Sequence, residues 1–291
     1  MSIRVNCKNE NDVSIDFTST ATAEYFLEEL DGAYTVSNNI SSSDNTMTDG
    51  SVYQGSTTKT KNIVVKGFID RNYVKARNNL YVVFKPKSVG TLKYYEDDEI
   101  REIEYRVESI NIDNTGVVRH FSISLICTDP FFKDLSDITV EMAGWQAMFS
   151  FPHQFLDSKE EFGKRIKSSI KTIDNDSAAD YIGIKAVMTV DGTVINPALY
   201  HVEQGIFIKV GTNTNPFEMH VGDSLVFTTG TNNKNIYLIR NGVSTNVNEY
   251  LDENSDFIQL VHGKNSLKYD ADQGQSNINL SVSYRLRYLG V

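Results

Sequence analysis

IEYRVESINIDNTGVVRHFSISLICT, residues 103–128, decides the fold class. Ile103, Tyr105 and Val107 alternate with polar residues, the period of a strand with one buried face. Ile110 and Ile112 resume after Glu108-Ser109 in a shifted phase, which predicts a β-bulge around Ser109. Asp113-Asn114-Thr115-Gly116 turns the chain back, and Phe121, Ile123 and Leu125 then share one face. Thr128-Asp129-Pro130 ends the ladder, because proline has no N–H to donate.

Moving outward, TLKYY (91–95) and NIVVKGFI (62–69) read as further strands, and Val13, Ile15 and Phe17 alternate as an opening one. Asp70 is placed to N-cap a helix over Arg71–Phe84, with Tyr73, Ala76, Arg77, Leu80 and Phe84 on one face and Pro86 as its stop. Asp31-Gly32 is a turn dipeptide. The composition then changes across Ser37–Lys61, SNNISSSDNTMTDGSVYQGSTTKTK, where Ile40, Met47, Val52 and Tyr53 are the sizeable apolar groups. Such a span buries too little to fold alone, so it is expected as a mobile loop or an arm lying on something else.

The second half repeats the strand habit. AVMTV-DG-TVI (186–195) and NIYLIR-NG-VSTNV (235–247) predict hairpins with two-residue turns. Further strands are expected at 205–210, 224–229, 257–260 and 278–288. The expected fold class is therefore mainly β in two domains, a split β-barrel or sandwich with one helix over 1–133 and an antiparallel β-sandwich over 137–291. A short connector near Asp129–Ser136 separates them.

Composition excludes several functions. Of 291 residues 40% are hydrophobic, enough for packed domains, and 15 Tyr with 15 Phe suit rings packed across sheets. No run of about 18 apolar residues occurs, so no membrane span is expected. The opening MSIRVNCKNENDVSIDF has no apolar core of a secretory signal, and synthesis in a cytoplasm is expected. A net charge of −10 argues against a groove that tracks phosphates. Cys7 and Cys127 are far apart and read as reduced, partly buried thiols.

Catalytic and metal-binding patterns are missing. His120, His153, His201, His220 and His262 form no HxH, HExxH or HxxxH spacing, and each reads as a surface or satisfied core residue. DNDSAAD (174–180) lacks the glycine and final glutamate of a calcium loop. Neither a GxSxG elbow nor a phosphate-binding loop is present. Glu96-Asp97-Asp98-Glu99, followed by Glu102 and Glu104, would alternate faces of a strand and repel itself, so it reads as a solvated or partner-facing surface. Trp145, flanked by Met142, Met148 and Phe149, reads as core and not as a sugar platform. The chain is accordingly expected to be no enzyme and to need no cofactor or metal.

The first half resembles the N-terminal domain of the distal tail protein family of long-tailed bacteriophages. The resemblance lies in NIVVKGFIDRNYVKARNNLYVVF (62–84), REIEYRVESI (101–110) and FSISLICTDPFF (121–132), the last running into Asp129, Pro130 and Phe131. The second half resembles the family's C-terminal domain in YLIRNGVSTN (237–246), FIQLVHGKNSLKY (257–269) and SVSYRLRYLGV (281–291). Within these, the Asn241-Gly242 turn, Leu260–Asn265 and Arg287–Gly290 match the pattern. The chain departs from the family in lacking an extended basic segment and any large receptor-binding insertion.

The resemblance implies a structural virion protein of the tail tip or baseplate. Its N-terminal domains would form a homohexameric ring, with galectin-like sandwiches outside. One face would meet the tail tube protein and the other the baseplate hub or tail-associated protein. DNA would pass through the lumen, and a receptor-binding protein is a further partner. Ser37–Lys61 occupies the position of the family's projecting hairpin. Asp44, Met47, Val52, Tyr53 and Thr57 are thus the candidate inter-subunit arm. Glu96, Asp97, Asp98 and Glu99 would face the lumen or a partner, where acidic walls repel phosphates and let DNA slide. A hub-ring component of a contractile tail or tail-like bacteriocin, and a carbohydrate-binding adhesin, remain as alternatives. A cell-wall hydrolase is disfavoured because no catalytic constellation emerges.

Overall fold

Alternating apolar residues become paired strands along most of the chain. The computed structural model describes residues 3–45, 47–113, 115–147, 163–167 and 170–291, with the side chains at 143–147 and 163–167 outside the description. His153, Met148, Phe149 and the Trp145 side chain thus lie outside the described residues. Two compact units result: Met1–Leu135 with Arg287–Val291, and Ser136–Leu286.

Unit 1 begins with β1 (Arg4–Asn9), β2 (Ser14–Thr18) and β3 (Tyr25–Asp31). A separate hairpin, β4 (Asn38–Asp44) and β5 (Ser51–Thr58), follows, and β6 (Lys61–Ile69) returns to the sheet. After helix α1 (Tyr73–Val83) come β7 (Val89–Glu96), β8 (Glu99–Ile112), β9 (Arg119–Cys127) and the short β10 (Phe132–Asp134). The strand order β8-β7-β1-β2-β3-β6-β9, with β8 also paired to β9, closes seven strands into a barrel. All these pairings are antiparallel except β2–β3, which meet in parallel at Thr18 and Phe26. The register of β8 on β9 shifts between Val107 and Ser109, the bulge expected from the phase change.

Alternate positions fill the barrel. Val5, Cys7, Ile15, Phe17, Ile63, Val65, Leu92, Tyr105, Ile123 and Leu125 are among its buried residues. Phe17 sits at the aromatic centre, with ring centroids 5.9 Å from Tyr25, 5.9 Å from Phe84 and 5.4 Å from Phe121. α1 packs its buried residues Ala76, Leu80 and Val83 into the same core. The helix starts later than expected, and Asp70 is not its cap. The Asp70 N–H still donates to Glu24 O at 3.1 Å, extending the β3–β6 ladder, and its carboxylate pairs with Arg71 at 3.2 Å. Asn72, left-handed at φ 52°, caps the helix without a side-chain bond.

In unit 2, β11 (Ile138–Ala147), β12 (Gly163–Lys167) and β13 (Ile170–Asn175) lead into β14 (Tyr181–Val190) and β15 (Val194–His201). Next come β16 (Ile206–Lys209), β17 (Glu218–Met219), β18 (Ser224–Gly230), β19 (Asn233–Arg240) and β20 (Val243–Asn246). The unit finishes with β21 (Gln259–Val261), β22 (Gly263–Gln273) and β23 (Ile278–Tyr284). One sheet has the order β12-β11-β23-β14-β18-β19-β20, with β21 beside β14; the other has β13-β22-β15-β16, with β17 beside β15. Leu225, Phe227 and Val282 from the first share a core with Leu199, Leu267 and Ile208 from the second, which makes an antiparallel sandwich.

The Asn241-Gly242 hairpin forms as expected: Arg240 pairs with Val243 across two left-handed residues, φ 52° and 78°. The Asp191-Gly192 hairpin does not. There β14 stays in the first sheet and β15 crosses to the second. The corner spends its backbone groups on a distant residue, with Asp191 N–H donating to Asn277 O at 3.0 Å and Asn277 Nδ2 to Thr193 O at 3.0 Å. The expected strand over 278–288 also breaks. β23 stops at Tyr284, and β24 (Arg287–Tyr288) pairs with β10 in unit 1, so the last five residues belong there and not with the second domain of 137–291.

Gly32 closes the turn after β3 at φ 79°, and a Cβ there would lie 1.9 Å from Asn62 O. Gly32→Ala should therefore destabilise unit 1 by about 1–3 kcal/mol. Thermal unfolding of the full chain checks this, and an unchanged transition would mean the turn can relax.

Candidate functional site

Within Ser37–Lys61, residues Asn38–Thr58 form a hairpin that lies outside the barrel core. β4 and β5 pair from Asn38↔Thr58 to Asp44↔Ser51, with a bulge between Ser41 and Ser42. Their inner backbone groups thus satisfy one another, which a mobile loop would not achieve, while the outer edges stay unpaired among the described residues. No hairpin side chain belongs to the barrel core. Ile40 is 71%, Met47 96% and Tyr53 63% exposed, and Val52 is exposed too. Asp44 and Val52 lie near the tip, and Thr57 pairs with Asn39 near the base. The five candidate arm residues therefore lie on one hairpin.

The acidic run is arranged differently from the alternating strand expected for it. Glu96 pairs with Glu99, so Asp97-Asp98 form the two-residue turn between β7 and β8, with Asp97 left-handed at φ 49°. Two of the four carboxylates are engaged. Glu96 accepts from Tyr94 Oη at 2.9 Å, and Glu99 pairs with Arg101 at 2.7 Å. Tyr94 Oη also lies 2.6 Å from Tyr34 Oη. Burial, with the bonds to Tyr34 and Glu96, holds the Tyr94 phenol well above its ordinary pKa. Asp97 and Asp98 face solvent.

A third feature, absent from the sequence reading as a site, is the strap of residues 287–291 in unit 1. Arg101 Nη1 donates to Gly290 O at 2.8 Å, and its guanidinium lies 4.1 Å from the centre of the Tyr288 ring. Arg287 pairs with Asp129, and Tyr288 Oη donates to Asp134 at 3.2 Å. Burial works to raise the Asp129 carboxyl, but Arg287 and Lys133 outweigh it and hold its pKa below the ordinary carboxylate range. The Arg287–Gly290 segment had signalled family likeness, not these contacts.

Reactive chemistry is poorly served. Cys7 and Cys127 are buried and unbridged; burial raises both thiols, Cys127 to about 12, so neither is a thiolate near neutral pH. His201 is buried with Nε2 2.9 Å from Asn265 Oδ1, and His262 Nδ1 lies 3.1 Å from Ser177 O. His120 is exposed beside Glu28 at 3.1 Å. Among the described residues no group of three metal-binding side chains converges, and no helix is long and apolar enough to cross a membrane.

Two family matches follow the two units. Residues 17–127 match the phage tail protein RIFT-related domain, and residues 182–288 match the siphovirus-type tail component, C-terminal domain. The chain belongs to the distal tail protein family of siphophages.

Solved structures agree at the level of fold. The distal tail protein Dit of phage SPP1, described as a hub adsorption apparatus in phages infecting Gram-positive hosts, superposes with a TM-score of 0.69 at 12% identity, over 98% of this chain and 99% of that one. A chain of the phage P2 baseplate, in its activated conformation with calcium, gives 0.52 at 8% identity over 100% of both chains. A second structure of that baseplate, with strontium, gives 0.51 at 9% over 99% of both. No curated protein sequence matches the chain. In this distal tail protein the projecting hairpin and the acidic turn are thus features of the RIFT-related domain, inside residues 17–127.

Because Asp129 is charged more readily when folded than unfolded, its contribution is present above the ordinary carboxylate pKa of about 3.9 and lost as pH falls through its lowered value. The β10–β24 amides should keep their exchange protection down to about pH 4 and lose it only below. Asp129→Asn should abolish that acid step, as amide-exchange protection factors against pH would record.

Proposed function

We propose that this chain forms a homohexameric adaptor ring between the tail tube and the baseplate hub, with DNA passing through its lumen. The observation that carries this reading is a family tail barrel bearing a hairpin that exposes Ile40, Met47, Val52 and Tyr53 and packs on nothing in its own core. A closed ring uses head-to-tail contacts, in which one surface of each copy meets a different surface of the next. A projecting hairpin on every copy suits that arrangement. Asp44, Met47, Val52, Tyr53 and Thr57 then lie at the contact between copies, and burying Met47 and Tyr53 supplies much of its apolar area. Ring closure strengthens modest contacts by raising effective concentration.

The exposed Asp97-Asp98 turn is assigned to the lumen or to a partner surface, where acidic groups give DNA nothing to bind. The tail tube and hub proteins are the axial partners, and a receptor-binding protein is a further one. The protein works in the virion by geometry, and no catalytic step is assigned to it.

Deleting Asp44–Thr57 should leave monomer stability within about 0.5 kcal/mol of the parent, since it removes no core side chain, yet prevent ring assembly. Thermal unfolding and imaging of assembled tail tips read the two effects. Rings of three or five copies in the parent particle would overturn the hexamer, and normal rings from the deleted protein would overturn the arm assignment.

A further inference from the structure

Lys61 opens β6 immediately after the hairpin and is 6% exposed. Its ammonium donates to Thr35 O at 2.7 Å, Leu289 O at 2.9 Å and Ala33 O at 3.2 Å, with Gly32 O at 3.4 Å. The Phe132 ring centre lies 5.7 Å away. No carboxylate pairs with it among the described residues, and burial lowers its pKa. A buried cation answered only by carbonyl dipoles is a poor device for net stability, because desolvation offsets most of the gain. What the arrangement supplies is geometry: three hydrogens joining three separate stretches of chain.

Those stretches meet at the root of the hairpin. Thr35 lies just before β4, Lys61 just after β5, and Leu289 belongs to the strap. One backbone rung, Lys59 N–H to Ser37 O at 2.8 Å, lies farther out. A cavity of about 320 Å³ lies here, lined by Thr35, Val36, Lys59, Lys61, Pro130 and Leu289, so side-chain packing does not fill the root. We propose that Lys61 is the positioning residue of the projecting hairpin, its ammonium binding the hairpin's two legs to the strap so that the hairpin leaves the barrel in one fixed direction. This rests on contacts within unit 1 and holds whether or not the hairpin meets a neighbouring copy.

The test is amide exchange, followed by mass spectrometry, on the full chain. Lys61→Met keeps the stem and removes the donors. It should speed exchange at residues 33–37 and 287–291 on the order of ten- to hundredfold, the factor for losing charge-assisted bonds, while leaving β7 and β8 protected. Deleting Leu289–Val291 removes one acceptor and should loosen residues 33–37 with Lys61 intact. The two changes combined should add little beyond either alone, since they break one shared unit. Unchanged exchange at 33–37 in either variant, or loosening spread evenly over the barrel, would overturn the proposal. Should Lys61→Met fail to fold, the deletion decides alone: faster exchange at 33–37 supports the lock, and unchanged exchange overturns it.

Discussion

Unit 1 depends on one pairing, that of β8 with β9, which turns an open ribbon into a closed wall. An open sheet would leave both strands with rows of unpaired backbone groups, a template for unwanted pairing. β8 makes closure feasible through its 14 residues. Its first part pairs with β7 and β10, its second with β9, and the bulge at Glu108 lies at the start of the β9 pairing. Once the wall is closed, the inward residues are fixed and α1 has a defined face to cover. The hairpin is then an excursion between β3 and β6, which pair directly with each other. Such an insertion can project without disturbing the wall.

Much of this wall was legible because its strands have one apolar face. Ile103, Tyr105 and Val107, then Phe121, Ile123 and Leu125, carry both the strand pattern and the buried set. The Asn241-Gly242 turn was legible because its hydrogen bonding is local. β4 and β5 were hidden for the converse reason: strands exposed on both faces show no apolar alternation, so SNNISSSD and SVYQGSTT look like loop.

At two places the structure departs from expectation because the partners lie far off in sequence. Asp191-Gly192 has the composition of a tight hairpin, yet Asn277 claims the corner. Asp70 has the chemistry of a cap, yet Glu24 O keeps its backbone in the ladder. The acidic run reads as a strand for a different, local reason: the sharp reversal at Asp97-Asp98, which places Glu96 beside Glu99, leaves no break in the charge pattern. Lys61 carried no signal, because its partners are carbonyl oxygens that every residue possesses. The candidate arm could be placed by position, but the root that holds it could not.

The strap also has a consequence in time. Every strand of the barrel lies within residues 4–127, whereas the strap follows the whole of unit 2, residues 136–286. A ribosome adding about 5–20 residues per second needs roughly eight to thirty seconds to cover that interval. The barrel's pairing set is thus complete on the nascent chain well before the hairpin root receives Leu289. A chain still in synthesis lacks the Lys61–Leu289 contact until the sandwich has been made. Order of synthesis thereby sets the order in which these contacts can form.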